Sequence, residues 1–168
     1  MIFLTEKECV EWCKKHSIEV DESSKPIIPP NQHSLSFYKP VISSVQLSLS
    51  RYLIECLGDF GSILFWIMDW PLYKADEMAM ILSLRKGYNE TRDLIDAPGY
   101  VVDKEEIDKL VGYVFLMIAY EWDSFFVTNH SRTMIFISHD GYIVIYNNDK
   151  QKIEELREII TDYKLDIM

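Results

Sequence analysis

Three short runs of aromatic and β-branched residues crowd into the stretch from Ser124 to Tyr146, and that clustering constrains the fold more than any other feature. The runs are Ser124 to Thr128, Thr133 to Ser138 and Tyr142 to Tyr146. His139-Asp140-Gly141 separates the last two. Asp-Gly between such runs is a hairpin signal, because both residues accept the positive φ of a tight turn. Strands joined this way pair antiparallel, and an antiparallel sheet needs helices on it to bury its apolar face. A further strand is expected from Ser62 to Trp70, where SILFWIMDW is a nearly continuous apolar run that ends before Pro71.

The rest of the chain is helical in period or irregular. Thr5-Glu6-Lys7-Glu8 fits a capping box and predicts a helix from Glu6 to His16, with Val10, Cys13 and Cys9 facing inward. Residues 17–33 contain Pro26, Pro29 and Pro30 and read as a loop or arm, with a short extended piece at Ile27-Ile28. Helical spacing recurs from Ser43 to Leu57 and from Ala75 to Lys86. Asp103 reads as the cap of a helix that runs to Glu121 and is apolar on most of its faces. Asn147-Asn148-Asp149 caps a last amphipathic helix carrying Ile153, Leu156, Ile160 and Tyr163. The order predicts one α+β domain over residues 1–168. Its antiparallel sheet includes residues 62–68, 124–128, 133–138 and 142–146, with the Asp103–Glu121 helix as the central packed element. Trp66, Phe115, Ile118, Phe136, Ile143 and Ile145 are expected to share one core.

Composition narrows the function classes. With 168 residues, 48% apolar and 13% aromatic, the chain has material for a core without staples. Three cysteines (Cys9, Cys13 and Cys56) are too few and too oddly numbered for a secreted disulfide framework. The start of the chain has no basic, apolar leader pattern. The longest apolar stretch, Leu110 to Tyr120, falls short of the ~20 residues a bilayer span needs. A cytoplasmic protein without a membrane partner is expected. A net charge of −10 disfavours nucleic acid, whose phosphates need clustered Lys and Arg.

Motifs with chemistry are sparse. Cys9, Cys13 and His16 share one helical face and could lend three ligands to zinc, but buried thiols on an amphipathic helix explain the same spacing. No metal and no cofactor is therefore expected. His130, His139, Asp123 and Asp140, with Ser131 or Ser138, hold the residue types of a hydrolase site, and a small-molecule enzyme built on them is the alternative function. Ser138 and His139 are neighbours in sequence and would point to opposite faces of a strand. The chain has no nucleophile elbow, P-loop, dinucleotide fingerprint or zincin motif.

Charge is unevenly spread. Between Tyr88 and Phe125 nine acids face three bases, so six of the ten excess negative charges lie there. Aromatic rings interleave with them. Acids supply association rate and rings supply anchors, so Asp93, Asp96, Glu105 and Asp108 with Tyr100 and Trp122 are the candidate contact set for a basic protein partner.

Leu64-Phe65-Trp66, Asp69-Trp70-Pro71, Leu84-Arg85-Lys86-Gly87-Tyr88, Ala97-Pro98-Gly99, Glu121-Trp122-Asp123 and Ser138-His139-Asp140-Gly141-Tyr142 form an ordered set. That set resembles a widespread family of uncharacterised bacterial proteins of similar size. The family has no established activity, so the resemblance implies no catalytic residue. Tyr100 stands here where relatives are expected to carry a histidine. In size and acidity the chain is also similar to immunity proteins that neutralise bacterial toxins. Together these features predict a non-catalytic binding protein for a basic partner, with toxin neutralisation as its sharpest form.

Overall fold

A computed structural model describes residues 2–30, 32–58, 60–69, 75–130 and 133–168, the side chains of 75–78 excepted. In chain order its elements are β1 (Ile2–Leu4), α1 (Glu6–Lys15), β2 (His33–Tyr38), α2 (Ser43–Cys56) and β3 (Ser62–Ile67). They continue with α3 (Ala75–Gly87), β4 (Gly99–Asp103), α4 (Ile107–Tyr120), β5 (Ser124–Thr128), β6 (Thr133–Ile137), β7 (Tyr142–Asn147) and α5 (Lys150–Asp162). The strands form one sheet ordered β1-β4-β3-β5-β6-β7-β2, antiparallel at every pairing. The fold class is α+β, as the bunched strands predict.

Local signals explain most boundaries. The Thr5 hydroxyl accepts from the Glu8 amide, and the Glu8 carboxylate accepts from the Thr5 amide at 2.7 Å, so the capping box closes in both directions. Asp149 accepts from the Gln151 amide at 2.9 Å and starts α5. Gly141 takes φ +82° in the β6–β7 turn, where an L side chain would be strained.

Asp103 does not cap α4. It ends β4, its side chain makes no capping bond, and a 3₁₀ turn at Lys104–Glu106 intervenes. The run read as one strand to Trp70 keeps strand pairing only to Ile67, and Trp70 lies outside the described residues.

Three strands escape the sequence reading: β1, β2 and β4. β2 fills the edge beyond β7, and its outer side takes up the segment 166–168. There the Tyr38 amide donates to the Asp166 carbonyl at 3.0 Å, and the Met168 amide donates to the Ser36 carbonyl at 2.9 Å.

The apolar residues fall into two layers, one on each face of the sheet. The larger joins Phe65, Phe126, Ile135 and Ile145 to Leu53 of α2, Met117 and Ile118 of α4, and Leu156 of α5. The smaller joins Leu64, Trp66, Val127 and Met134 to Cys9 and Cys13 of α1 and to Ile18. This corrects the expectation of one shared core. Neighbouring strand residues point to opposite faces, so Trp66 and Phe136 belong to the layer under α1, while Ile118, Ile143 and Ile145 belong to the other. Phe115 is only half-buried at the edge of the larger layer.

Gly99 shows how closely α1 lies on the sheet. A Cβ built there would stand 2.1 Å from the Cys9 sulfur. Gly99→Ala is therefore expected to push α1 off β4, lose ~1–3 kcal/mol in denaturant titration, and make the Cys9 thiol reactive to an aromatic disulfide reagent. Ile118 is fully buried, so Ile118→Ala is expected to cost ~2–5 kcal/mol, clearly more than Phe115→Ala in the same assay.

Candidate functional site

A groove of about 660 Å³ opens at the end of the sheet where β3 stops. Its floor is apolar: Trp66, Met68, Leu82, Leu94 and Pro98. Glu6, Lys25, Asp69 and Asp93 stand around it, contributed by α1, the arm, the segment after β3 and the loop after α3. Ile95, 82% exposed, also lines it. The volume is of the order that accepts a small ligand or a few side chains, ~300–1,000 Å³.

The wall formed by the loop between α3 and β4 is held by Arg85. Its side chain is 1% exposed, an unusual place for a guanidinium. It donates to the carbonyls of Ala97, Arg92 and Asp93 at 2.8, 3.1 and 3.2 Å, and to the Tyr100 hydroxyl at 3.1 Å. Its charge also lies 5.3 Å from the centre of the Phe3 ring. No carboxylate bonds it among the described residues; backbone dipoles, ring faces and the charge of the nearby Glu90 carry the compensation.

Glu90 tightens the same loop. Its buried carboxylate accepts from the Arg92 amide at 2.7 Å and from Nε and Nη2 of the Arg92 guanidinium, and the same Nη2 donates to the Phe3 carbonyl at 3.1 Å. The side-chain bonds from Arg92 outweigh desolvation and hold the Glu90 pKa down at about 2.

Beside the groove, three segments singled out in the sequence converge. The amides of Met68 and Asp69 both point at the Asp123 carbonyl, at 2.7 and 3.5 Å. The Asp123 carboxylate accepts from the His139 amide at 2.7 Å and lies 2.9 Å from its Nδ1. Asp140 approaches Nε2 at 3.5 Å. The hydrogen bond with Asp123, and then the charges of Asp123, Asp140 and Asp69, raise the His139 pKa above its ordinary value. Lys39 secures the same corner: its amide donates to the Gly141 carbonyl at 2.9 Å, and its ammonium meets Glu121 and the Ile118 carbonyl at the end of α4.

The candidate residues are thus sorted. His139, Asp123 and Asp140 come together. His130 sits at the opposite end of β5, and Ser131 lies outside the described residues. Ser138 accepts from the Asp140 amide, and Ser124 is buried beside its ladder partners Ile67 and Ile137. No serine hydroxyl meets the imidazole among the described residues.

Of the proposed contact set, Asp93, Asp96, Glu105 and Asp108 are exposed. Tyr100 and Trp122 are fully buried and cannot serve as surface anchors. Their rings complete the interior instead: Tyr100 packs on Phe3, Phe65 and Tyr113. Cys9 and Cys13 are buried in the layer under α1, where desolvation pushes both thiols well above their usual range. Asp69 is the residue the sequence reading missed, because only the register Ile67↔Ser124 and Ser124↔Ile137 brings it to Asp123 and His139.

The Glu90 pair makes a pH prediction. Its folded pKa is depressed below the ordinary 4.5, so its stabilisation is present above that value and is lost as pH falls through about 2. Thermal melts across this range are expected to show a shallower acid loss in Glu90→Gln than in the wild type. Equal slopes would remove Glu90 from the acid limb.

No protein-family model, curated protein or solved structure matches this chain, so the functional reading rests on this geometry.

Proposed function

We propose that the chain is a non-catalytic binding domain for a basic protein partner, docked at the groove between α1 and the loop after α3. The observation that carries this reading is an apolar floor ringed, among the described residues, by Glu6, Asp69 and Asp93 against one lysine, Lys25. An apolar side chain flanked by Lys or Arg has the matching chemistry: the floor takes the hydrocarbon and the rim takes the charge. Ile95 offers the incoming chain an exposed apolar contact beside Asp93. Asp96, in the same loop as Asp93, adds exposed negative charge, while Glu105 and Asp108 follow the far end of β4, where Asp103 pairs with Ser62, and contribute only to the long-range field. Such a field accelerates encounter more than it strengthens the final complex. In its most specific form the partner is a basic toxin whose working surface the domain covers, which makes this an immunity protein.

Short peptides of varied charge, displayed as a library, test the reading. Sequences pairing Lys or Arg with a large apolar residue are expected to be enriched, and cross-peaks of Leu94 and Ile95 are expected to shift on binding. Asp93→Lys combined with Asp96→Lys is expected to slow association about tenfold at low ionic strength. The difference is expected to shrink near 0.15 M salt, where charges are screened over ~8 Å. Enrichment of acidic or neutral peptides, or an on-rate indifferent to both reversals, overturns the proposal.

A further inference from the structure

The docking reading leaves Asp123 and His139 unused. With Asp69 they offer one ligand atom each, and all three atoms lie within 4.8 Å of one another. It is the only such group of three or more among the described residues. Three distant parts of the chain supply it: the segment after β3, the residue before β5 and the β6–β7 turn.

Their positions are set by backbone bonds and not by side-chain chance. Asp123 receives the amides of Met68 and Asp69 on its carbonyl and the amide of His139 on its carboxylate. The donors therefore arrive already placed, which lowers the ordering cost of binding an ion.

The distances suit a metal. Zinc bonds to imidazole nitrogen and carboxylate oxygen are about 2.0–2.2 Å long, so two ligand atoms on one tetrahedral ion lie about 3.3–3.6 Å apart. His139 Nδ1 and Asp123 Oδ2 are 2.9 Å apart and now share a proton. An ion in place of that proton spreads the pair by only tenths of an ångström. Asp69 is exposed, so its side chain is free to swing inward to complete three ligands.

The charges suit a metal as well. Asp69, Asp123 and Asp140 surround a single imidazole, and the lysine at this corner, Lys39, is engaged by Glu121. A dication offsets two of those carboxylates. An imidazole among oxygen donors selects borderline transition ions of the zinc class over magnesium or calcium, which prefer oxygen alone.

We propose that Asp69, Asp123 and His139 form a binding site for one divalent ion of the zinc class, with its remaining positions open to water. The site requires neither the groove nor a protein partner, so it stands or falls separately from the docking reading.

The test uses the full chain, stripped with a chelator and dialysed, then titrated with Co²⁺ by visible absorption and with Zn²⁺ by calorimetry. One equivalent is expected, with the absorption bands of low-coordinate nitrogen and oxygen ligation, and Mg²⁺ is expected to produce no heat. Asp69→Asn and His139→Gln are each expected to weaken binding about tenfold or more. His33→Gln and His130→Gln, both at exposed histidines away from the site, are expected to leave it unchanged. Circular dichroism melts of each variant confirm that the fold survives. Asp69→Asn, on an exposed side chain, keeps the test decisive if His139→Gln unfolds. The proposal is overturned by absent binding, by affinity that Asp69→Asn leaves untouched, or by a thiolate charge-transfer band that assigns the ion to cysteine.

Discussion

The structure depends on the burial of β3 from both sides. Every residue from Ile63 to Ile67 is at most 1% exposed. A strand in that state needs a partner on each edge and a layer on each face. β4 and β5 supply the edges. The helices α2, α4 and α5 supply one thick layer, and the short α1 supplies the other. Because α1 has only ten residues, it covers the sheet partially, and the chain after it returns through Ile18 and the arm to extend the cover. The groove lies where that cover stops. Its apolar floor joins the end of that layer, at Trp66 and Met68, to Leu94 of the larger one.

The sequence announced what local physics decides. The Asp-Gly turn, the Thr5 capping box and the apolar period of α4 all depend on residues within one or two turns of each other, and all appear where the pattern places them. What it hid depends on register. β1 has three residues, and β4 begins at Gly99 directly after Pro98, so both carry loop signals while pairing as strands. β2 has the alternation Ser-Leu-Ser-Phe, with Leu35 and Phe37 inward, but the prolines on either side of it mask the signal. The same limit applies to the site. Asp123 and His139 were legible as candidates because a short hairpin separates them, whereas Asp69 needs the β3–β5 pairing to be known. Tyr100 and Trp122 were misplaced for a related reason: aromatic rings among acids look alike in sequence whether they face inward or outward.

Arg85 gives the acidic half of the molecule a positive centre. A buried guanidinium without a bonded carboxylate is costly unless its donors are met, and here three loop carbonyls and a tyrosine meet those of Nη1 and Nη2, leaving only Nε without a partner among the described residues. The loop's backbone is thereby folded around a cation while its side chains Asp93 and Asp96 point to solvent. Shape and charge are thus set by different atoms of the same segment. Its rim acids are free to vary in chemistry without loosening the wall that carries them.

The segment 166–168 that lies along β2 has a further consequence. β2 is the last strand on its side of the sheet, and a row of unpaired amides and carbonyls there is a template on which any extended chain can add. Phe37 bridges Ile167, and neighbouring bonds tie Tyr38 and Ser36 to Asp166 and Met168. The chain thereby occupies its own template with a few residues of backbone. Detaching those residues would lift Ile167 off the larger core layer and at the same time change the molecule's colloidal behaviour, by opening the outer side of β2 to another extended chain.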